Sequence, residues 1–108
     1  MNKTITLFAL SLAVAASTPV LAGGNAEAGK AKSAVCAGCH GADGNSVAPI
    51  FPKLAGQHED YLFHSLQGYK TKKRKNPTMQ EQVAKLSEQD MRDLAAYFSK
   101  QHGLTQKY

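Results

Sequence analysis

The last third of the chain has the clearest helical pattern of apolar and polar positions. Apolar residues recur there at i, i+3, i+4 and i+7, namely Met91, Leu94, Ala95 and Phe98. Ser87 precedes this stripe, and Asp90 follows Ser87 by three residues, an arrangement typical of a helix N-terminus. The pattern therefore predicts a helix that begins after Ser87, buries the stripe and turns Arg92, Asp93 and Lys100 towards solvent.

The rest of the pattern predicts two further helical segments. Residues 25–39 are rich in alanine with scattered lysines, which favours one helix. A second amphipathic helix is predicted from Glu59, with Leu62, Leu66 and Tyr69 on one face. The intervening residues 41–57 carry glycines and prolines, a composition typical of a loop. No alternating strand pattern is found, so the fold class is predicted to be all-α, in a single domain.

The first 22 residues are typical of a secretory signal peptide. Lys3 gives a positive start, an apolar run covers residues 5–16, and residues 20–22 resemble a cleavage site. Cleavage there predicts a mature domain, residues 23–108, that is soluble in the periplasm and has no transmembrane segment. A domain of this size has a marginal core unless a cross-link, metal or cofactor adds stability.

The formal net charge of the chain is +5, and the excess is concentrated in one short run. Its members are Lys70, Lys72, Lys73, Arg74 and Lys75. Such a run suits nucleic acid, an anionic membrane or an acidic protein, and export disfavours the first. We expect it to dock an acidic partner; a merely solvated loop is the alternative.

The most specific motif is two cysteines three residues apart followed at once by a histidine. Cys36, Cys39 and His40 form the attachment pattern of c-type haem. Each thiol adds to one vinyl group at the porphyrin edge, and the short tether leaves the imidazole under the ring, where it binds iron. The motif predicts one covalently bound haem c with His40 as an axial ligand.

The second axial ligand is predicted to be Met79. It lies in residues 76–80, a polar, proline-containing stretch interpreted as a loop, where a methionine has little apolar company. Met91 falls in the apolar stripe of the last helix and is expected in the core. His58 is the main rival ligand, whereas His64 and His102 have no feature that favours iron binding. Iron with both axial sites filled by protein changes charge without binding a reactant, as in an electron carrier.

These residues resemble the class I c-type cytochromes, both the small soluble monohaem proteins of bacterial periplasm and single domains of dihaem ones. The resemblance covers residues 23–101 and rests on segments 29–30, 36–41, 51–57, 76–79, 86–90 and 94–98. It implies a class I cytochrome c fold, with three to five short helices wrapped around one haem and crossing N- and C-terminal helices.

The resemblance also implies roles for individual residues. The carbonyl of Pro52 accepts a hydrogen bond from the ring N–H of His40, and Leu54 packs in the haem pocket. Gly29 permits a close crossing of the first and last helices. The implied function is outer-sphere electron transfer through the haem edge, between redox proteins such as a membrane-bound reductase, a terminal oxidase or a periplasmic reductase, by a monomer or weak dimer that is not an enzyme.

Three other interpretations use the same residues. The first keeps the haem but makes it a sensing or peroxidatic site with a labile Met79. A second makes Cys36 and Cys39 the dithiol of an exported oxidoreductase, although that site belongs in a strand–helix context. A structural zinc site, the third, needs two further ligands at recognisable spacing.

Overall fold

The computed structural model describes residues 23–104, together with the isolated positions 9, 11 and 13. The predicted signal peptide, residues 1–22, otherwise lies outside the described residues, as do residues 105–108. The described part contains five helices and no strand: α1 Ala26–Lys32, α2 Ala34–His40, α3 Glu59–Lys70, α4 Pro77–Val83 and α5 Glu88–Ser99. The predicted all-α fold is confirmed. None of these helices is long and apolar enough to span a bilayer.

The first predicted helix is two helices that meet at Ser33. The buried Ser33 hydroxyl donates to the carbonyl of Lys30 at 2.8 Å, and such a bond to the preceding turn competes with the helical ladder. Asn25 caps α1 by accepting from the N–H of Ala28. The second helix ends at His40, and Gly41 begins the 41–57 loop.

Helices α1 and α5 make the most extensive contact between described helices, and Gly29 lies at the point of closest approach. A Cβ on Gly29 would stand 2.0 Å from the backbone carbonyl oxygen of Asp93 and 2.8 Å from Cβ of Tyr97. No side chain fits into that space, so glycine is what lets the two backbones cross.

The core lies between α3 and α5. Its buried cluster contains Leu62, Phe63, Met91, Leu94, Ala95 and Phe98. The prediction that Met91 packs in the core is therefore confirmed, and α5 begins with a full capping box between Ser87 and Asp90. Phe63, which the predicted α3 stripe omitted, is also buried, and the Arg92 guanidinium lies 4.1 Å from the centre of its ring.

The predicted outward orientation of Asp93 is wrong. Its side chain is only 4% exposed and accepts hydrogen bonds from the Asn25 N–H (2.8 Å), the Lys32 ammonium (2.6 Å) and the Gln89 amide (2.8 Å). Burial acts to raise the pKa of Asp93, but these bonds outweigh it and hold that pKa below its ordinary value. Asp93 therefore joins α5 to the start and end of α1.

The stretch that was interpreted as a loop around Met79 is helix α4. Asn76 is its N-cap, with Oδ1 accepting from the N–H of Met79 at 3.1 Å, and Pro77 occupies the first helical position, where a missing N–H costs nothing. Both residues are helix-start signals. The loop prediction was wrong because it treated proline only as a residue typical of loops and did not consider Asn76 as a helix N-cap.

Candidate functional site

A cavity of about 450 Å³ opens between α2, the 41–57 loop, α3, α4 and α5. Its size is within the usual range for small-molecule sites, about 300–1,000 Å³. The residues that carry the sequence motifs meet there: Cys36, Cys39, His40, Pro52, Leu54 and Met79 all line it. They come from three separate stretches of the chain, which the fold brings together.

The α2 wall of the cavity holds the two thiols. Cys36 and Cys39 are half-buried and are not joined in a disulfide. Burial raises the pKa of the Cys36 thiol. A redox-active dithiol needs a thiol of lowered pKa and a strand–helix setting, and the described residues contain no strand. Both observations weigh against the dithiol oxidoreductase.

His40 ends α2 and is buried, with its Nδ1 atom 2.8 Å from the carbonyl oxygen of Pro52. A carbonyl only accepts, so Nδ1 must carry the ring proton and donate it. The other ring nitrogen, Nε2, is then the one with a free lone pair, which is the form that binds a metal. The hydrogen bond that the resemblance implied is present.

Met79 lies in the first turn of α4, is half-buried and lines the cavity. None of the other four candidate ligands lies in the described lining. Met91 is buried in the core, while His58, His64 and His102 are exposed. His64 is engaged through Nδ1 with the carbonyl of Asp60 at 2.9 Å. Of the five candidates for the second ligand, Met79 is therefore the one that the described lining contains.

The remaining lining is mainly apolar, with leucine, alanine and aromatic side chains from the loop, α3 and α5. Its charged members are Lys53 and Arg74, and the described lining contains no aspartate or glutamate. The Arg74 guanidinium lies 4.7 Å from the ring centre of Tyr69. An apolar chamber with cations at its wall suits a flat apolar group that carries carboxylates.

The donor set and the walls fit haem c. Two thiols and an imidazole with a free nitrogen stand on one wall, a thioether stands in α4, and apolar side chains line the rest. A site built from three or more converging His, Cys, Asp or Glu side chains is not found among the described residues, so the zinc alternative gains no support from them.

Several large apolar side chains are exposed next to this cavity. Val35 is 62% exposed, Ile50 82% and Tyr61 54%, and all three also contribute to the lining. Val47, 61% exposed, lies in the same loop as Ile50. Apolar side chains grouped at a cavity mouth are typical of an interaction surface. The sequence analysis missed this group, because periodicity carries no signal in an irregular loop.

All five residues of the predicted basic cluster are exposed, at the C-terminal end of α3 and in the turn that follows. Two of them also have intramolecular contacts: the Lys70 ammonium donates to the carbonyl of Leu86, and Arg74 lies over Tyr69. This leaves Lys72, Lys73 and Lys75 as the members best suited to meeting a partner.

Comparison with known proteins matches residues 26–101 to the family model "Cytochrome c". The chain is 48% identical to cytochrome c4 of Pseudomonas aeruginosa over 101 residues, 94% of this chain and 49% of that protein. It is 43% identical to cytochrome c-554(548) of Halomonas halodenitrificans over 81 residues, 72% of this chain and 98% of that protein.

Among solved structures, reduced recombinant cytochrome c4 from Pseudomonas stutzeri superimposes with a TM-score of 0.71 at 51% identity, covering 75% of this chain and 47% of that one. The chain thus spans about half the length of the cytochromes c4 that it matches. The family match covers most of the described residues and includes every candidate site residue, and it implies a haem c bound through Cys36, Cys39 and His40. The chain belongs to the cytochrome c family.

Proposed function

We propose that this protein is a periplasmic electron carrier with one haem c, attached through Cys36 and Cys39 and ligated by His40 and Met79. The observation that carries the proposal is that these four side chains, from α2 and α4, line one apolar cavity. The chain has two cysteines in total, which is the number that one covalently attached haem requires. The cytochrome relatives support electron transfer.

The bound haem supplies the one-electron redox change, and the protein residues set its conditions. Pro52 fixes the ring of His40 and makes its free nitrogen a stronger donor. Met79 supplies a neutral thioether, which favours the reduced state relative to a second imidazole. A haem held by His40 and Met79 would have both protein ligands in place and would exchange electrons without making or breaking bonds at the metal.

Partners approach, in this proposal, at the exposed apolar group of Val35, Ile50 and Tyr61, since these side chains reach both solvent and the cavity. Lys72, Lys73 and Lys75 lie on the turn after α3 and steer an acidic redox protein towards that face. The partners are redox proteins such as a membrane-bound reductase, a terminal oxidase or a periplasmic reductase.

A second candidate function is a sensing or peroxidatic haem site with a labile sixth ligand. The weak anchoring of α4 favours it. This helix has seven residues, of which Val83 is buried, and Met79 is half-buried. A ligand on a lightly anchored helix leaves iron more easily than one in a core. The two functions differ in whether Met79 is bound to ferric iron at rest.

The test uses protein exported by a cell that performs haem attachment. Mass spectrometry is expected to find the added mass of one haem on the processed chain. The ferric protein should show the long-wavelength absorption of thioether ligation, which Met79→Ala removes while lowering the reduction potential. Met91→Leu is the matched control and should keep the band.

Three results would contradict parts of this proposal. A chain without the added mass rules out the haem. A band that survives in Met79→Ala rules out that ligand. Wild-type protein that lacks the band but binds peroxide or another small ligand favours the second candidate function.

A further inference from the structure

Ser46 lies in the loop that connects the attachment helix to Pro52, and it has an unusual backbone conformation. Its φ angle is +71°, in the left-handed region that favours glycine, at a cost of about 1–2 kcal/mol for another residue. A glycine would take this conformation without that cost. The contacts of the serine therefore hold it in this conformation, and they involve His40, the candidate iron ligand, and the peptide before Pro52.

The backbone N–H of Ser46 donates to the carbonyl of His40 at 2.6 Å. Its hydroxyl lies 2.7 Å from the carbonyl oxygen of Phe51 and 2.6 Å from that of Ala48, so these two acceptors share its single proton. One residue thus contacts both the carbonyl of His40 and the carbonyl that directly precedes Pro52.

The contact with Phe51 determines where the carbonyl of Pro52 points. The Phe51 carbonyl belongs to the planar peptide unit that links Phe51 to Pro52, and the proline ring fixes the next dihedral angle, φ, near −65°. When that peptide plane is held, one soft angle remains between it and the Pro52 carbonyl oxygen. That oxygen accepts the bond from His40 Nδ1 at 2.8 Å.

We propose that Ser46 is a positioning residue for His40: its N–H fixes the end of α2 and its hydroxyl fixes the Pro52 carbonyl, so that the imidazole keeps its orientation and its strong donor character. This role rests on the proposed function, because it matters through haem iron. Ser46 does not line the cavity, so it acts only through His40 and Pro52.

The test compares Ser46→Gly with wild type in the haem-loaded protein. Glycine accepts φ of +71° without strain and keeps the N–H, so this variant removes the hydroxyl and its hydrogen bonds without adding backbone strain. We expect the His40 ring proton, followed by NMR, to exchange with solvent about two- to tenfold faster, as the loss of one ordinary hydrogen bond predicts. The reduction potential should rise, since a less firmly bonded imidazole is a weaker donor.

Ser99→Ala is the matched control. Its hydroxyl also donates to a backbone carbonyl, that of Ala96 at 3.0 Å, but this bond lies within α5 and not in the loop that holds Pro52. This control should leave the ring-proton exchange and the potential unchanged. Ser46→Ala should reproduce both shifts and be less stable than Ser46→Gly, because alanine keeps the backbone strain that glycine relieves.

A Ser46→Gly protein with wild-type exchange and potential would overturn the proposal. So would equal shifts in Ser99→Ala, since they would reflect general loosening. Failure of the proposed function gives a different result, a wild-type chain that carries no haem. That result would overturn the proposed function and the role of Ser46 together.

Discussion

Replacing Gly29 by alanine tests the α1–α5 crossing directly. The new Cβ would lie 2.0 Å from the carbonyl oxygen of Asp93, 2.6 Å from its carbonyl carbon and 2.8 Å from Cβ of Tyr97. Two of these atoms belong to backbone and cannot rotate away. Contacts under 3.0 Å essentially do not occur for real Cβ atoms, so the helices must separate by about 1 Å.

This separation also affects the polar contacts of Asp93. Its bonds to the Asn25 N–H and the Lys32 ammonium are 2.8 Å and 2.6 Å long, and a shift of that size would take both out of hydrogen-bonding range. Overpacking costs about 1–3 kcal/mol, each lost bond about 1 kcal/mol, and the better helix propensity of alanine returns about 1 kcal/mol. We expect Gly29→Ala to lower the free energy of unfolding by about 2–4 kcal/mol, or Tm by roughly 10–25 °C.

Gly38→Ala is the control, because it is also a glycine inside a helix but a Cβ there meets nothing within 4 Å. It should be neutral or stabilising, by up to about 1 kcal/mol. The measurement is thermal and denaturant unfolding of haem-loaded protein, followed by circular dichroism. Equal stability of the two variants would refute the close crossing.

Two further predictions concern charged groups. Hydrogen bonds, first from Lys32 and then from the Ser87 backbone, lower the pKa of Asp90 to about 2, and the pKa of Asp93 is also lowered. The stability that these carboxylates add is therefore present above about pH 4 and is lost as pH falls towards 2. Asp93→Asn should lower the free energy of unfolding by about 1–3 kcal/mol at neutral pH and flatten this acid dependence in unfolding curves measured from pH 2 to 6. The control Glu88→Gln breaks only the exposed pair with Arg92 and should lower it by under about 1 kcal/mol. Changing Lys72, Lys73 and Lys75 together to glutamine should lower the rate at which hexacyanoferrate(III) oxidises the reduced haem protein. In stopped-flow measurements the rate should fall several-fold at low salt and stay unchanged at high salt. The same exchange at Lys30, Lys85 and Lys100, which are exposed and outside the cavity lining, should have a smaller effect, and equal effects of the two sets would show that net charge alone matters.

Features with local causes could be predicted from the sequence. The α5 helix begins where Ser87 and Asp90 place it, since a capping box acts within four residues. The thiols and His40 share one wall because their spacing is set by a single helix. Helix α4 is the informative failure, because Asn76 and Pro77 are start signals that the prediction assigned to a loop.

The orientation of Asp93 failed for a different reason, which is that α5 is buried on more than one side. Met91, Leu94 and Phe98 make the stripe that faces the core, but Asp93 and Ala96 are also buried. Asp93 contacts α1 and is spaced from Ala96 as neighbours on a helix face are. A single-stripe interpretation allows one buried face, so it turned Asp93 towards solvent. The signal that was present is Gly29, because a close crossing requires a second buried face on the partner helix.

The two faces of α5 connect the crossing to the candidate site. Leu94, Ala95 and Phe98 on one face line the cavity, while Asp93 on the other is bonded to α1. A helix that fills the space between two neighbours transmits a displacement, because packed interiors have little room to absorb it. A shift of α5 caused by Gly29→Ala must therefore move the cavity wall as well. The variant should alter the haem absorption spectrum below its unfolding temperature, while Gly38→Ala, which displaces no helix, leaves α5 in place.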